Sequence, residues 1–213
     1  MKNRLLLFSF FIVFVAVFAF AKDKSEQRLT EKDYVEVAKR LDVEVAAIKA
    51  VVEIETGRTH KGFWEKGKPL VNFDYSVLKK FAPKRKVKLS ECDSKLSKIK
   101  GSKQQHEQAR VDAICSINEA LGYESAFWGM FQIGGFNWKL CKTKDIHEFM
   151  DLMSRSERDQ LELFANFIES TKLVKYLKAK NWAGFASRYN GPSYESRGYH
   201  TRMAKAYEKY KNK

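Results

Sequence analysis

The chain has 213 residues, 44% of them hydrophobic, enough to bury one ordinary core and to indicate one domain. Forty Lys and Arg stand against 26 Asp and Glu, a formal net charge of +14, so the surface seeks polyanions. Nucleic acid is not the expected partner, because no arginine-rich stripe with interleaved aromatics occurs, and the four His and three Cys fall at no metal-ligand spacing, so neither metal nor other cofactor is expected.

Residues 1–21, MKNRLLLFSFFIVFVAVFAFA, set Lys2 and Arg4 before an uncharged, mostly apolar run, and Ala19-Phe20-Ala21 is an A-x-A cleavage pattern. They read as an export signal. The run from Leu5 to Ala21 lies near the lower length limit for a membrane span, so an uncleaved signal anchor is the alternative. Residues 22–28 form a short polar linker and 29–213 the domain. Either reading puts the domain outside the cytoplasm, in the periplasm or beyond. Without Lys2 and Arg4 the balance is 38 basic against 26 acidic, or +12. For an exported monomer the available polyanions are wall polymers or an anionic lipid surface. Cys92, Cys115 and Cys141 allow one disulfide plus a spare thiol, with three pairings open.

The segment LTEKDYVEVAKRLDVEVAAIKAVVEIETG predicts two helices. Thr30 caps the first, with Tyr34, Val35, Ala38 and Leu41 on one face; Asp42 caps the second and Gly57 stops it. In the second helix Val45, Ile48, Val51, Val52 and Glu55 recur at three and four, so Glu55 lies at the edge of the apolar face while Glu53 points elsewhere. KGKPLVNFDYSVLKKF predicts an extended LVNF followed by a short helix, YSVLKKF. Ala82 to Lys103 is rich in Lys and Ser, with little periodicity, and reads as an inserted loop. A helix is expected from about Gln104 to Leu121, ended by Gly122, and a long one from about Ser156 to Leu177 with Leu161, Phe164, Ala165, Phe167 and Ile168 along its face. NWAGFASRYNGPSY supplies a short helix and a Gly-Pro turn, and a terminal helix follows. No strand alternation of any length appears, so the class is mostly α.

Three stretches carry candidate chemistry. A carboxylate beside Ile54 and one turn after Val51 and Val52 is partly desolvated, which raises its pKa and suits Glu55 to proton donation; a helix-end Glu that leans into solvent or pairs with Lys49 or Arg58 is the plainer reading. In FWGMFQIGGFN, residues 127–137, the Gln132 amide sits among aromatic rings and glycines. It suits a groove wall that hydrogen-bonds an uncharged polar ligand, with Gly129 leaving room for a sugar ring; a core amide satisfied by the backbone is the alternative. In SRYNGPSY, Tyr189 and Asn190 precede a tight turn, and ring plus amide is the pairing that a sugar groove uses.

Taken in order, ET, GMFQ and YNG resemble the lysozyme-like superfamily that includes goose-type lysozymes and soluble lytic transglycosylases. Within it the chain is most similar to the N-acetylmuramidase domain family of phage endolysins and related bacterial proteins. AVVEIETG resembles the acid-bearing helix of that family, PLVNFDYSVL its P-x-I-L-F-E-R-H-x-F block, SAFWGMFQIGGFN its S-A-S-W-G-x-F-Q-I-M-G-x-N block, and NWAGFASRYNGPSY its D-W-x-x-F-A-x-x-Y-N-G-P-x-Y block. Where F-E-R-H is usual, Phe73, Asp74, Tyr75 and Ser76 stand, and the Pro83 to Lys103 stretch is longer than expected.

The resemblance implies a lysozyme-like helical fold and cleavage of the β-1,4 bond between N-acetylmuramic acid and N-acetylglucosamine in peptidoglycan glycan strands. It makes Glu55 the general acid and Asp74 a second carboxylate, with Trp128, Gly129, Gln132, Asn137, Tyr189 and Asn190 along the substrate groove. Lytic transglycosylase chemistry, which ends strands in anhydromuramic acid, and a non-catalytic basic wall-binding protein are the alternatives.

Overall fold

The computed structural model describes residues 28–57 and 61–212. The export segment and the linker up to residue 27 lie outside the described residues, as does Arg58. No helix among the described residues is long and apolar enough to cross a membrane.

Two helices open the domain, α1 (Glu31–Leu41) and α2 (Val45–Glu55). Thr30 closes a capping box with Asp33, as expected. Asp42 does not cap α2. It ends α1 in the left-handed region at φ 53°, its carboxylate pairs with Lys178 at 2.6 Å, and Glu44 takes the N-cap position of α2. Val35, expected on the buried face of α1, is 45% exposed, and Val37 is buried in its place. Ala46, Ala47, Ile48, Ala50, Val51 and Val52 bury α2 on most of its circumference, so this helix is the axis of the main core. It stops at Glu55 because Gly57 takes φ +59° just past the end.

A short hairpin follows, β1 (Phe63–Glu65) with β2 (Lys68–Pro69). Next comes an antiparallel sheet of order β3-β4-β5, built from β3 (Val71–Phe73), β4 (Ala126–Trp128) and β5 (Ile133–Gly134). Val71 pairs with Trp128 and Phe73 with Ala126, and of these Val71, Trp128 and Ala126 are fully buried. The intervening pair, Asn72 and Phe127, turns to the other face, the period-two alternation of a strand. The free edge of β3 is closed by side chains of α5 (Gln104–Cys115): the Gln104 amide exchanges two hydrogen bonds with the Val71 backbone, and Glu107 accepts from the Phe73 N–H.

Helix α3 (Tyr75–Phe81) lies where the sequence predicts it. The lysine-rich stretch after it is not a plain loop. It holds a 3-10 turn (Pro83–Arg85) and α4 (Leu89–Leu96), and Cys92 enters a second small core with Leu78, Ala82, Ile114 and Leu121, against which Leu89 and Leu96 pack. The expected single helix from Gln104 to Leu121 is divided, because Asn118 caps a new one, α6 (Glu119–Glu124). Gly122 lies inside α6, against Cys115, where a Cβ would come within 2.3 Å of the thiol sulfur. Helices α7 (Ile146–Arg155) and α8 (Glu157–Ser170) follow, and Lys172 at φ 60° breaks the expected long helix before α9 (Val174–Lys178). The chain closes with α10 (Trp182–Tyr189) and α11 (Tyr199–Lys211), which packs along α2. All three cysteines are free thiols, so none of the three pairings forms.

Candidate active site

Glu55 is the last residue of α2, and Asn190 is the C-cap of α10. The Asn190 amide Nδ2 donates to Glu55 Oε1 at 2.9 Å. Burial of the carboxyl is the largest influence on it and pushes the pKa up to about 7, against the opposing pull of the Asn190 hydrogen bond and the positive charge of Arg202. Lys49, a plausible partner by sequence, binds Glu31 instead at 2.6 Å. Glu53, two residues earlier, faces α11 and accepts from Lys209 at 2.7 Å and from the Tyr210 hydroxyl. Helix phase thus separates a carboxyl held in an ion pair from one held half-protonated near neutrality.

Tyr189 joins the third motif to the second. Its hydroxyl donates to the Phe131 carbonyl at 2.8 Å, and its ring stacks on Phe185 at 5.4 Å and meets Phe164 and Phe167 edge-on. Burial, then the nearby Glu55 charge, raises its pKa well above the ordinary phenol value, so it stays a neutral donor. Two hydrogen bonds therefore tie ET, GMFQ and YNG into one cluster. The oxygen end of the Asn190 amide, Oδ1, is buried and has no hydrogen-bond partner among the described residues.

The GMFQ turn is shaped by its own backbone. Gln132 takes φ 48°, and its Nε2 donates to the Gly129 carbonyl at 2.9 Å, closing the turn. The residue is half-buried, and its Oε1 makes no hydrogen bond among the described residues, so one end of the amide serves the turn and the other is unengaged. Gly129 has a structural reason different from room for a sugar: it sits at φ +70°, and a Cβ there would meet Met153 Sδ at 2.4 Å and Gln160 Oε1 at 2.7 Å. Trp128 also departs from expectation. It is 1% exposed and its indole N–H donates to the Tyr123 carbonyl at 2.9 Å, so it is a core residue with no surface to offer a sugar. Asn137 ends a half-buried 3-10 turn, and its side chain makes no hydrogen bond among the described residues.

Asp74 is the N-cap of α3. Its Oδ1 accepts from Ser76 N at 2.7 Å and from Val77 N at 3.0 Å, and no hydrogen bond or ion pair links it to Glu55, Tyr189 or Asn190. The sequence pattern also conceals two contributors. Gln160 on α8 is completely buried, and it accepts from Met130 N at 2.8 Å while donating to the carbonyls of Met153 and Gly62, which fixes the turn from behind. A glutamine on an otherwise apolar helix face was the available signal. Arg202 on α11 had none, since its charge acts on Glu55 only through the packing of α11 along α2.

A mostly helical domain that holds a desolvated carboxyl between two helix ends and a glycine-rich turn has the lysozyme-like architecture. A sequence profile of N-acetylmuramidase matches residues 44–211, and the chain belongs to that family, among the glycoside hydrolases of peptidoglycan. The crystal structure of the Burkholderia AP3 phage endolysin is similar: 33% identical in sequence, TM-score 0.79, covering 87% of this chain and 73% of that one. No curated protein matches the chain in sequence.

Proposed function

We propose that this protein is an N-acetylmuramidase that cuts the β-1,4 bond between N-acetylmuramic acid and N-acetylglucosamine, with Glu55 as the general acid, and that it acts on the wall after export. The observation that carries this reading is the carboxyl of Glu55, raised to about 7 by burial and hydrogen-bonded to Asn190. Glycosidic bonds break through an oxocarbenium-like transition state, and the leaving oxygen needs a proton as the bond lengthens. A carboxylic acid with a pKa near the working pH holds that proton and still releases it readily. Asn190 keeps the acid aimed. Tyr189 and the unengaged end of Gln132 complete the groove wall.

A second reading has a specific observation in its favour. A carboxylate nucleophile of a retaining glycosidase stands about 5 Å from the acid, and its charge would raise the pKa of Glu55 further, yet no carboxylate is among the influences on that group. Asp74 is engaged in capping α3. In the hydrolase reading, the second group acts at longer range on a water; in a lytic transglycosylase, a single acid suffices and the sugar's own hydroxyl closes an anhydro ring. Analysis of the cleaved strands separates them: reducing muramic ends support the hydrolase, and anhydromuramic ends overturn it. Clearing of a peptidoglycan suspension excludes a non-catalytic wall binder.

A further inference from the structure

The stretch from Lys79 to Lys103 holds ten basic residues and two acidic ones, Glu91 and Asp93, a local excess of eight in a domain whose other lysines are often matched. Lys49, Lys142, Lys178, Lys180 and Lys209 each face a carboxylate. Within the stretch only Arg85 does so, gripping buried Glu124 with two hydrogen bonds; the nine lysines form no salt bridge among the described residues, and all are exposed. Asp93 is occupied by the Tyr75 hydroxyl at 2.6 Å. Like charges gathered this way repel one another and weaken the fold that carries them. An opposite partner relieves that repulsion.

Several of these ammonium groups are held in place by rings. Lys79 Nζ lies 5.3 Å from the centre of the Tyr75 ring, and Lys80 and Lys84 lie 5.9 and 4.5 Å from that of Phe81. Phe81 is itself stacked on Phe136 at 5.3 Å, which meets Phe127 edge-on, so the lysines rest on an aromatic row that continues into the β3-β4-β5 sheet. Lys79 stands over the Tyr75 ring and Lys80 over the Phe81 ring, and consecutive residues of a helix lie on different sides of it. Charge therefore spans more than one face of the lobe. A flexible chain can follow such a surface, whereas a flat bilayer meets one face at a time. The exposed large hydrophobic residues among those described are Val35, on α1, and Tyr75, whose ring is tied to α4 through the hydrogen bond of its hydroxyl to Asp93, so the patch offers one anchored ring and no apolar face for a bilayer to take up.

We propose that the α3–α4 lobe is a docking surface for a phosphate-bearing anionic polymer of the cell wall, contacted by Lys79, Lys80, Lys84 and Lys86. The choice of source rests on the wall-degrading function proposed above; the surface itself does not. Docking there retains the enzyme on its insoluble substrate between cuts, and it weakens with added salt as counterions compete.

The test is co-sedimentation of the protein with purified walls that carry a phosphodiester polymer, with the same walls stripped of it, and with vesicles of phosphatidylglycerol. The wild type is compared with a variant in which Lys79, Lys80, Lys84 and Lys86 are all replaced by Gln. Because residues 1–27 are identical in both proteins, only their difference is read. The expected result is a loss of about tenfold or more in the variant's affinity for polymer-bearing walls at low salt, shrinking as salt rises. Turnover of a short soluble glycan is unchanged. Undiminished binding by the variant, undiminished binding of the wild type to stripped walls, or a loss seen on vesicles alone would each overturn the proposal. Absent turnover of the soluble glycan by both proteins would instead count against the catalytic reading and leave the binding result intact.

Discussion

The side-chain amide of Asn190 donates to Oε1 of Glu55 across 135 positions of sequence, joining the end of α10 to the end of α2 at 2.9 Å. A hydrogen bond to the ionised form lowers a carboxyl pKa, so this contact holds Glu55 below the value that burial alone would give. Asn190→Ala is expected to shift the alkaline limb of the pH–rate profile upward and to lower the maximal rate, because the acid loses its aim. An unchanged profile would separate Asn190 from the titration of Glu55.

The same group sets a sign for stability. Its folded pKa, about 7, lies above the ordinary 4.5, so the folded protein retains a proton that the unfolded chain releases. Its contribution therefore falls as pH climbs from about 4.5 to about 7, and the full cost, on the order of 3 kcal/mol, is present above that window. Glu55→Gln removes the ionisable group and is expected to melt higher than wild type at pH 8, with the gap closing near pH 4.5. Equal melting at both pH values would show that the carboxyl is well solvated.

How far this site could be read in advance differs by residue. Glu55 and its contrast with Glu53 follow from helix phase, because α2 is buried and a three-four period on a buried helix fixes direction. Tyr189 and Asn190 follow from motif order. Trp128 and Gly129 were misread for different reasons: strand alternation at β4 turns Trp128 to the core, whereas Gly129, just past that strand, is required by its positive φ and by the close approach of Met153 and Gln160. The lobe after α3 was hidden by composition. Leu89, Cys92 and Leu96 do make an apolar stripe at helical spacing, but surrounding lysines dominate any average over the stretch. Arg202 and Gln160 act through tertiary approach, which local sequence does not encode.

Gln160 yields a stability prediction. Gln160→Leu strands the Met130 N–H and the Met153 carbonyl in a buried setting, at a cost of about 1 to 3 kcal/mol. Activity falls as well, since the GMFQ turn loses its rear support. Thermal melting and turnover measured on the same sample check both, and a variant that melts normally would mean that the turn holds itself.

Gln132→Leu asks what the exposed end of that amide does. It loses the bond to the Gly129 carbonyl, a modest cost of about 1 kcal/mol for a half-exposed group. The catalytic loss is expected to be larger, about tenfold or more in kcat/KM on wall substrate, if Oε1 meets the glycan. Full activity per folded molecule would confine Gln132 to closing the turn.

Glu53→Gln and Glu55→Gln together give the sharpest check on the assignment of the acid. New reducing ends released from purified peptidoglycan are counted for both variants at pH 6, where wild-type Glu55 is mostly protonated. Glu55→Gln is expected to lose about two to four powers of ten while still sedimenting with the walls, and Glu53→Gln to retain most of the activity. Comparable losses in both, or an active Glu55→Gln, would contradict Glu55 as the proton donor.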